Sequence, residues 1–150
     1  MIYLVRHGSA GNPQMWEQPD DLRPLDDQGR QQAARLAALL ADRPITRVLS
    51  SPSLRCTQTV GPLARHLVIE VETAAELLEG RVADRVVDYL ATLDGVVVAC
   101  SHGDVIPEVL RHLSGHGTEL PEPRRSAKGS VWELERDGDR VLSGRYWPPG

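Results

Sequence analysis

Three short stretches carry side chains that could do chemistry together: Arg6-His7-Gly8, Ser50-Ser51-Pro52 with Arg55 just beyond, and Ser101-His102-Gly103. Imidazole can act as nucleophile, base or cation near neutral pH, and the arginine fork matches the oxygens of a phosphate. Two guanidinium groups and one imidazole could hold the equatorial oxygens of a transferring phosphoryl group while the other imidazole attacks it. Such attack forms a phosphoramidate and divides one displacement into two. His7, followed by a glycine that leaves space for in-line approach, suits the attack, and His102 suits charge stabilisation. From spacing alone the two roles can be exchanged. Taken singly, each stretch also fits a strand that merely reaches solvent. Together they point to one anion site, a phosphate cradle in preference to a carboxylate site.

These residues need elements that bring them to one edge. Residues 1–5 read as a short buried strand, as do 45–49, 68–71 and 96–100. Residues 28–41 place Ala33, Leu36, Ala37 and Leu40 at helical spacing, with Asp26 or Asp27 available as N-cap. A second helix is expected from Ser51-Pro52, as N-cap and first helical residue, to about 66. Others are expected at 83–93 and 104–113, and Gly61-Pro62 counts against continuity of the second. Residues 131–135 and 140–142 flank Asp137-Gly138-Asp139, a hairpin signal. The polar stretch 9–27, with Gly11, Pro13, Pro19 and Pro24, reads as a loop over the end of the first strand.

Strands alternating with helices predict an α/β three-layer sandwich: a mainly parallel central sheet, helices on both faces, and a C-terminal antiparallel hairpin. Ligands of such sheets bind beyond the carboxyl ends of the strands. Arg6, His7, Arg55 and His102 are expected there. The 150 residues fit a single domain with a proper core.

Composition narrows the function. Net charge is −4 and positive charge rests on sixteen arginines and one lysine, with no long basic block, so nucleic acid is not an expected partner. No apolar run reaches the length of a membrane span, and the first strand is too short and too soon charged for a signal peptide. No membrane partner is expected, and a cytoplasmic location is. Cys56 and Cys100 lack disulfide-framework or zinc-ligand spacing and read as buried thiols. A cysteine-based phosphatase needs an arginine six residues beyond its thiolate, where this chain has Ile106 and Pro62. The turn after the first strand lacks the glycines of a dinucleotide site.

Arg6-His7-Gly8, then Ser50-Ser51-Pro52-Ser53-Leu54-Arg55-Cys56-Thr57-Gln58-Thr59, then Ser101-His102-Gly103, in that order, resemble the histidine phosphatase superfamily, also called phosphoglycerate mutase-like. The likeness runs from residue 1 to about 113. Arg23-Pro24-Leu25, Gly29, Gln32-Ala33 and the late Lys128-Gly129-Ser130 resemble its short-chain branch of phosphohistidine phosphatases and Nudix-fused phosphatase domains. The resemblance implies that His7 is the phosphorylated nucleophile, that Arg6, Arg55 and His102 form the phosphate pocket, and that no metal or other cofactor takes part. It also implies a proton donor after the third strand, for which Glu76 matches best and Glu79 is the reserve. A carboxyl in a partly dry pocket can keep its proton, give it to the leaving oxygen and then activate water.

One departure is Asn12, five residues after His7 where many mutases have an asparagine six after. Another is length, which leaves little room for the insertions that shield a mutase's phosphoenzyme from water. The open pocket that this length implies favours a phosphatase acting on a phosphorylated small molecule or a phosphoprotein. Alternatives are a protein phosphohistidine phosphatase and, from another class, a module that binds phosphorylated ligands without turnover. Arg124, Arg125 and Lys128 could rim the pocket, although a solvated loop is the plainer reading. Oligomeric state has no signature in this sequence.

Overall fold

In the computed structural model, which describes residues 1–150, the first strand is central. Strand β1 (Ile2–Arg6) lies between β4 (Val97–Ser101), with which it runs parallel, and β5 (Val131–Asp137), with which it runs antiparallel. Strands β2 (Arg47–Ser50) and β3 (Val71–Thr73) continue the parallel part, and β6 (Arg140–Trp147) closes the other edge. The sheet order is β3-β2-β4-β1-β5-β6. The parallel strands with a C-terminal antiparallel hairpin match the architecture expected from the sequence.

Alternation along β1 builds two cores. Ile2 and Leu4 join Leu49, Val97, Ala99 and Trp132 under α3 (Ala83–Ala91) and α4 (Val105–Gly115). Tyr3 and Val5 join Val48, Val98 and Cys100 under α1 (Asp27–Leu40) and α2 (Leu54–Leu67). Burying a Val or Leu side chain contributes about 1.5–3 kcal/mol, so strands apolar on both faces hold both helical layers. No helix is long and apolar enough to cross a membrane.

Three local expectations are corrected. Helix α2 starts at Leu54, not at Pro52, because the Ser51 hydroxyl is engaged by His102 and does not cap the helix. Arg55 therefore lies in the first turn. The helix runs through Pro62, with Val60, Leu63 and Ala64 buried around it. The third strand begins at Val71: Val68 instead closes α2 in a left-handed conformation, φ 58°, its N–H reaching Arg65 O at 3.2 Å. The β-branched run at 68–71 signals a strand, but the end of the helix takes its first residues.

The parallel strands end together. Arg6 pairs with Ser101 and Ser50 with Cys100, so His7, Ser51 and His102 follow at one edge of the sheet.

Candidate active site

Register delivers the imidazoles to one place. The rings of His7 and His102 meet edge to face with centroids 5.4 Å apart, and both are buried. His7 Nδ1 lies 2.8 Å from Gly8 O. A carbonyl only accepts, so Nδ1 carries the proton and Nε2 keeps the lone pair. Burial, with further contributions from Arg55, His102 and Arg6, lowers the His7 pKa from 6.5 to about 3. The ring is thus neutral at physiological pH.

His102 is held differently. Its Nδ1 faces Arg55 Nη2 at 3.5 Å, where only the guanidinium can donate, and its Nε2 lies 2.8 Å from Ser51 Oγ. The serine hydroxyl can either donate or accept in that contact. Cys56 Sγ lies 3.6 Å from the same nitrogen. Cys56 and Cys100 are both free and buried.

Arginine placement follows from close packing. A Cβ on Gly103 would sit 2.6 Å from Arg6 Cζ, so the glycine lets the guanidinium lie against the turn after β4. Arg6 Nη1 donates to Ser126 O at 2.7 Å. Gly129 N reaches the carbonyls of Arg6 and His7, both at 3.1 Å, and Tyr146 Oη accepts from Ala127 N at 3.2 Å. The hairpin thereby supports the site through the backbone of residues 126–129. Arg124, Arg125 and Lys128 themselves are exposed, and Arg124 pairs with Glu122. Arg55 is 2% exposed. Nε of Arg6 and Nε of Arg55 are buried without a partner, which costs free energy unless an acceptor is bound.

The same segments lock the strand ends to the helices. Gly8 N donates to Thr59 Oγ1 at 2.9 Å, and Leu25 N to Gln58 Oε1 at 2.8 Å. Ser9 N donates to Gln32 Oε1 at 2.8 Å. Asp26 caps α1 through Gly29 N and also accepts from Ser9 Oγ. A Cβ on Gly29 would fall 2.0 Å from Ser9 O. Each motif residue thus has a mechanical task around His7.

Arg6, His7, Arg55 and His102 come together; Glu76 does not join them. It lines a separate groove with Arg81, Arg85 and Tyr89. Glu79 Oε2 lies 3.2 Å from Arg55 Nη2. The sequence places Glu76 before Glu79 as proton donor; in the structure the short turn Ala75–Leu77 buries Leu77 beside β4, and it is the Glu79 carboxylate that reaches Arg55. Two contacts escaped the sequence reading altogether. Ser51 reads in the sequence as a helix cap, and Asp20, whose carboxylate lies 3.0 Å from Arg55 Nη2, falls in a stretch that reads only as loop. Its spacing three residues before Arg23 is the one signal that could have marked it.

Comparison with known proteins adds the following. The family model for the histidine phosphatase superfamily (branch 1) matches residues 2–85. The chain is 30% identical to the 8-oxo-(d)GTP phosphatase of Mycolicibacterium smegmatis, over 99% of this chain and 48% of that protein. It is 36% identical to the uncharacterized protein Rv0525 of Mycobacterium tuberculosis, over 52% of this chain and 39% of the other. It thus spans about half, or less, of the length of these relatives. Among solved structures, the protein histidine phosphatase SixA complexed with tungstate superposes with a TM-score of 0.77 at 24% identity, covering 97% of this chain and 92% of the other. A mycobacterial glucosyl-3-phosphoglycerate phosphatase superposes with a TM-score of 0.72 at 18% identity, covering 97% and 96%. At these identities the superpositions speak for the fold.

Proposed function

The chain belongs to the histidine phosphatase superfamily, and we propose that within it residues 1–150 form one catalytic domain that hydrolyses a phosphomonoester through a phosphohistidine on His7. The observation that carries this reading is the state of His7: neutral, its Nδ1 proton fixed on Gly8 O, its Nε2 lone pair beside buried cations. A neutral, oriented imidazole is the form that attacks phosphorus.

In the first step Nε2 of His7 bonds to phosphorus as the bond to the leaving oxygen breaks. Arg6, Arg55 and His102 hold the phosphoryl oxygens, whose charge the unpartnered guanidinium Nε–H groups can meet. Glu79, beside Arg55, gives its proton to the leaving oxygen. In the second step water loses a proton to Glu79 and attacks phosphorus, the N–P bond breaks, and inorganic phosphate leaves. The relative named for 8-oxo-(d)GTP supports a nucleotide as one substrate class to try first.

A second reading, hydrolysis of protein phosphohistidine, is favoured by one feature. Asp20 and Glu79 both lie on Arg55, and this acidic rim suits a neutral or cationic leaving group better than a polyphosphate. Imidazole, with a pKa of about 6.5, also departs without a strong acid. The experiment that tests the common mechanism is rapid quenching with a phosphorus-labelled substrate. The expected result is acid-labile, base-stable phosphate on His7, absent in His7→Ala. Full turnover by His7→Ala would remove the proposal, and phosphate binding without any turnover would leave a binding module in its place.

A further inference from the structure

We propose that Asp20 is a positioning residue that sets the phosphate-binding edge of Arg55; this rests on the reading of Arg55 as a phosphate ligand. Asp20 holds that guanidinium at two points. Its carbonyl accepts from Nη1 at 2.9 Å and its Oδ2 from Nη2 at 3.0 Å. Both contacts lie on the terminal edge of the fork. On the other edge Nη2 also faces Glu79 Oε2 at 3.2 Å and His102 Nδ1 at 3.5 Å, so Nε, buried and unpartnered, is the donor left for an oxyanion.

Asp20 is itself braced. Arg23 Nε donates to its Oδ1 at 3.2 Å, and Arg23 Nη1 donates to Ala10 O at 2.6 Å. Arg23 is buried. Burial raises the Asp20 pKa, but Arg55 and Arg23 outweigh it and hold the carboxyl below its usual range. A chain of charge-assisted contacts therefore runs from the turn after His7, through Arg23 and Asp20, to Arg55 and on to His102. The Asp20 side chain is half exposed, and the contacts it makes with Arg55 gain little as a surface ion pair. Their geometry acts instead by sparing Arg55 a search among rotamers when phosphate arrives.

The test measures binding of inorganic phosphate by titration calorimetry, with kcat and KM, in wild type, Asp20→Ala, Asp20→Asn, Arg55→Ala and the double variant Asp20→Ala/Arg55→Ala. Asp20→Ala is expected to weaken phosphate about tenfold and to lower kcat, while Asp20→Asn, which keeps an acceptor oxygen, loses less. In the Arg55→Ala background, Asp20→Ala is expected to change nothing further. Losses that add in the double variant overturn the proposal. So does phosphate bound as tightly as, or more tightly than, by wild type, which would make Asp20 a competitor for Arg55. Arg55→Ala binding phosphate normally would overturn the phosphate pocket itself, a separate outcome from the failure of Asp20 alone.

Discussion

Gly8 N donates to Thr59 Oγ1 at 2.9 Å, and the same hydroxyl donates to Arg55 O at 2.7 Å. One buried side chain thus ties the backbone after His7 to the helical turn that carries Arg55. Thr59→Val keeps the shape and removes both bonds, leaving a buried N–H without an acceptor. The expected loss of stability is about 1–3 kcal/mol, with kcat on p-nitrophenyl phosphate reduced by roughly tenfold as His7 loosens relative to Arg55. Urea unfolding and steady-state kinetics check the two parts. A lower midpoint with unchanged kcat would show that the tether supports the fold alone.

Gly103 is the contact surface of Arg6, and a methyl group there would meet Cζ at 2.6 Å and Nη2 at 2.6 Å. Gly103→Ala is expected to push the guanidinium out of the pocket and to lower kcat/KM by roughly tenfold or more, since a misplaced charge forfeits transition-state stabilisation. The side chain can yield where backbone could not, so the fold should persist. Unchanged kcat/KM would separate Arg6 from the phosphoryl group.

Much of this arrangement is legible in the sequence because it is local. A buried strand that stops at Arg6-His7-Gly8 and another that stops at Ser101-His102-Gly103 place two imidazoles at one edge once the strands are parallel neighbours. What is not legible depends on distant backbone. Arg6 and Ser126 O, 120 residues apart, meet at 2.7 Å, and a carbonyl has no residue type to announce it. Which glutamate reaches Arg55 is not legible either, because Glu76 and Glu79, three residues apart, differ only in how a short turn faces them.

The state of His7 has a consequence for pH. Its pKa is lowered by burial from 6.5 to about 3, so between those values the unfolded chain binds a proton that the native chain refuses. The stability tied to the neutral ring is present above pH 6.5 and is lost as pH falls toward 3, by up to about 1.4 kcal/mol per pH unit. Unfolding in urea at pH 7 and pH 4.5 should therefore show a larger loss for wild type than for His7→Asn, which does not titrate. Equal losses would mean that the ring is protonated in the native state. For the same reason the acid limb of kcat/KM should not fall near pH 6.5 on account of His7.

Glu79 and Glu76 can be distinguished by their chemistry. Glu79 lies on Arg55, whereas Glu76 lines a groove with Arg81 and Arg85. Glu79→Gln is expected to lower kcat for an alkyl phosphomonoester by roughly 100-fold or more, the usual range for a lost proton donor, while Glu76→Gln leaves it within a factor of about two. An easily departing imidazole needs less help, so phosphohistidine hydrolysis by Glu79→Gln should fall far less. If both substrates lose equally, Glu79 serves to orient Arg55 and not to move a proton. If Glu76→Gln is the damaged variant, the turn at residues 75–77 must rearrange when substrate binds.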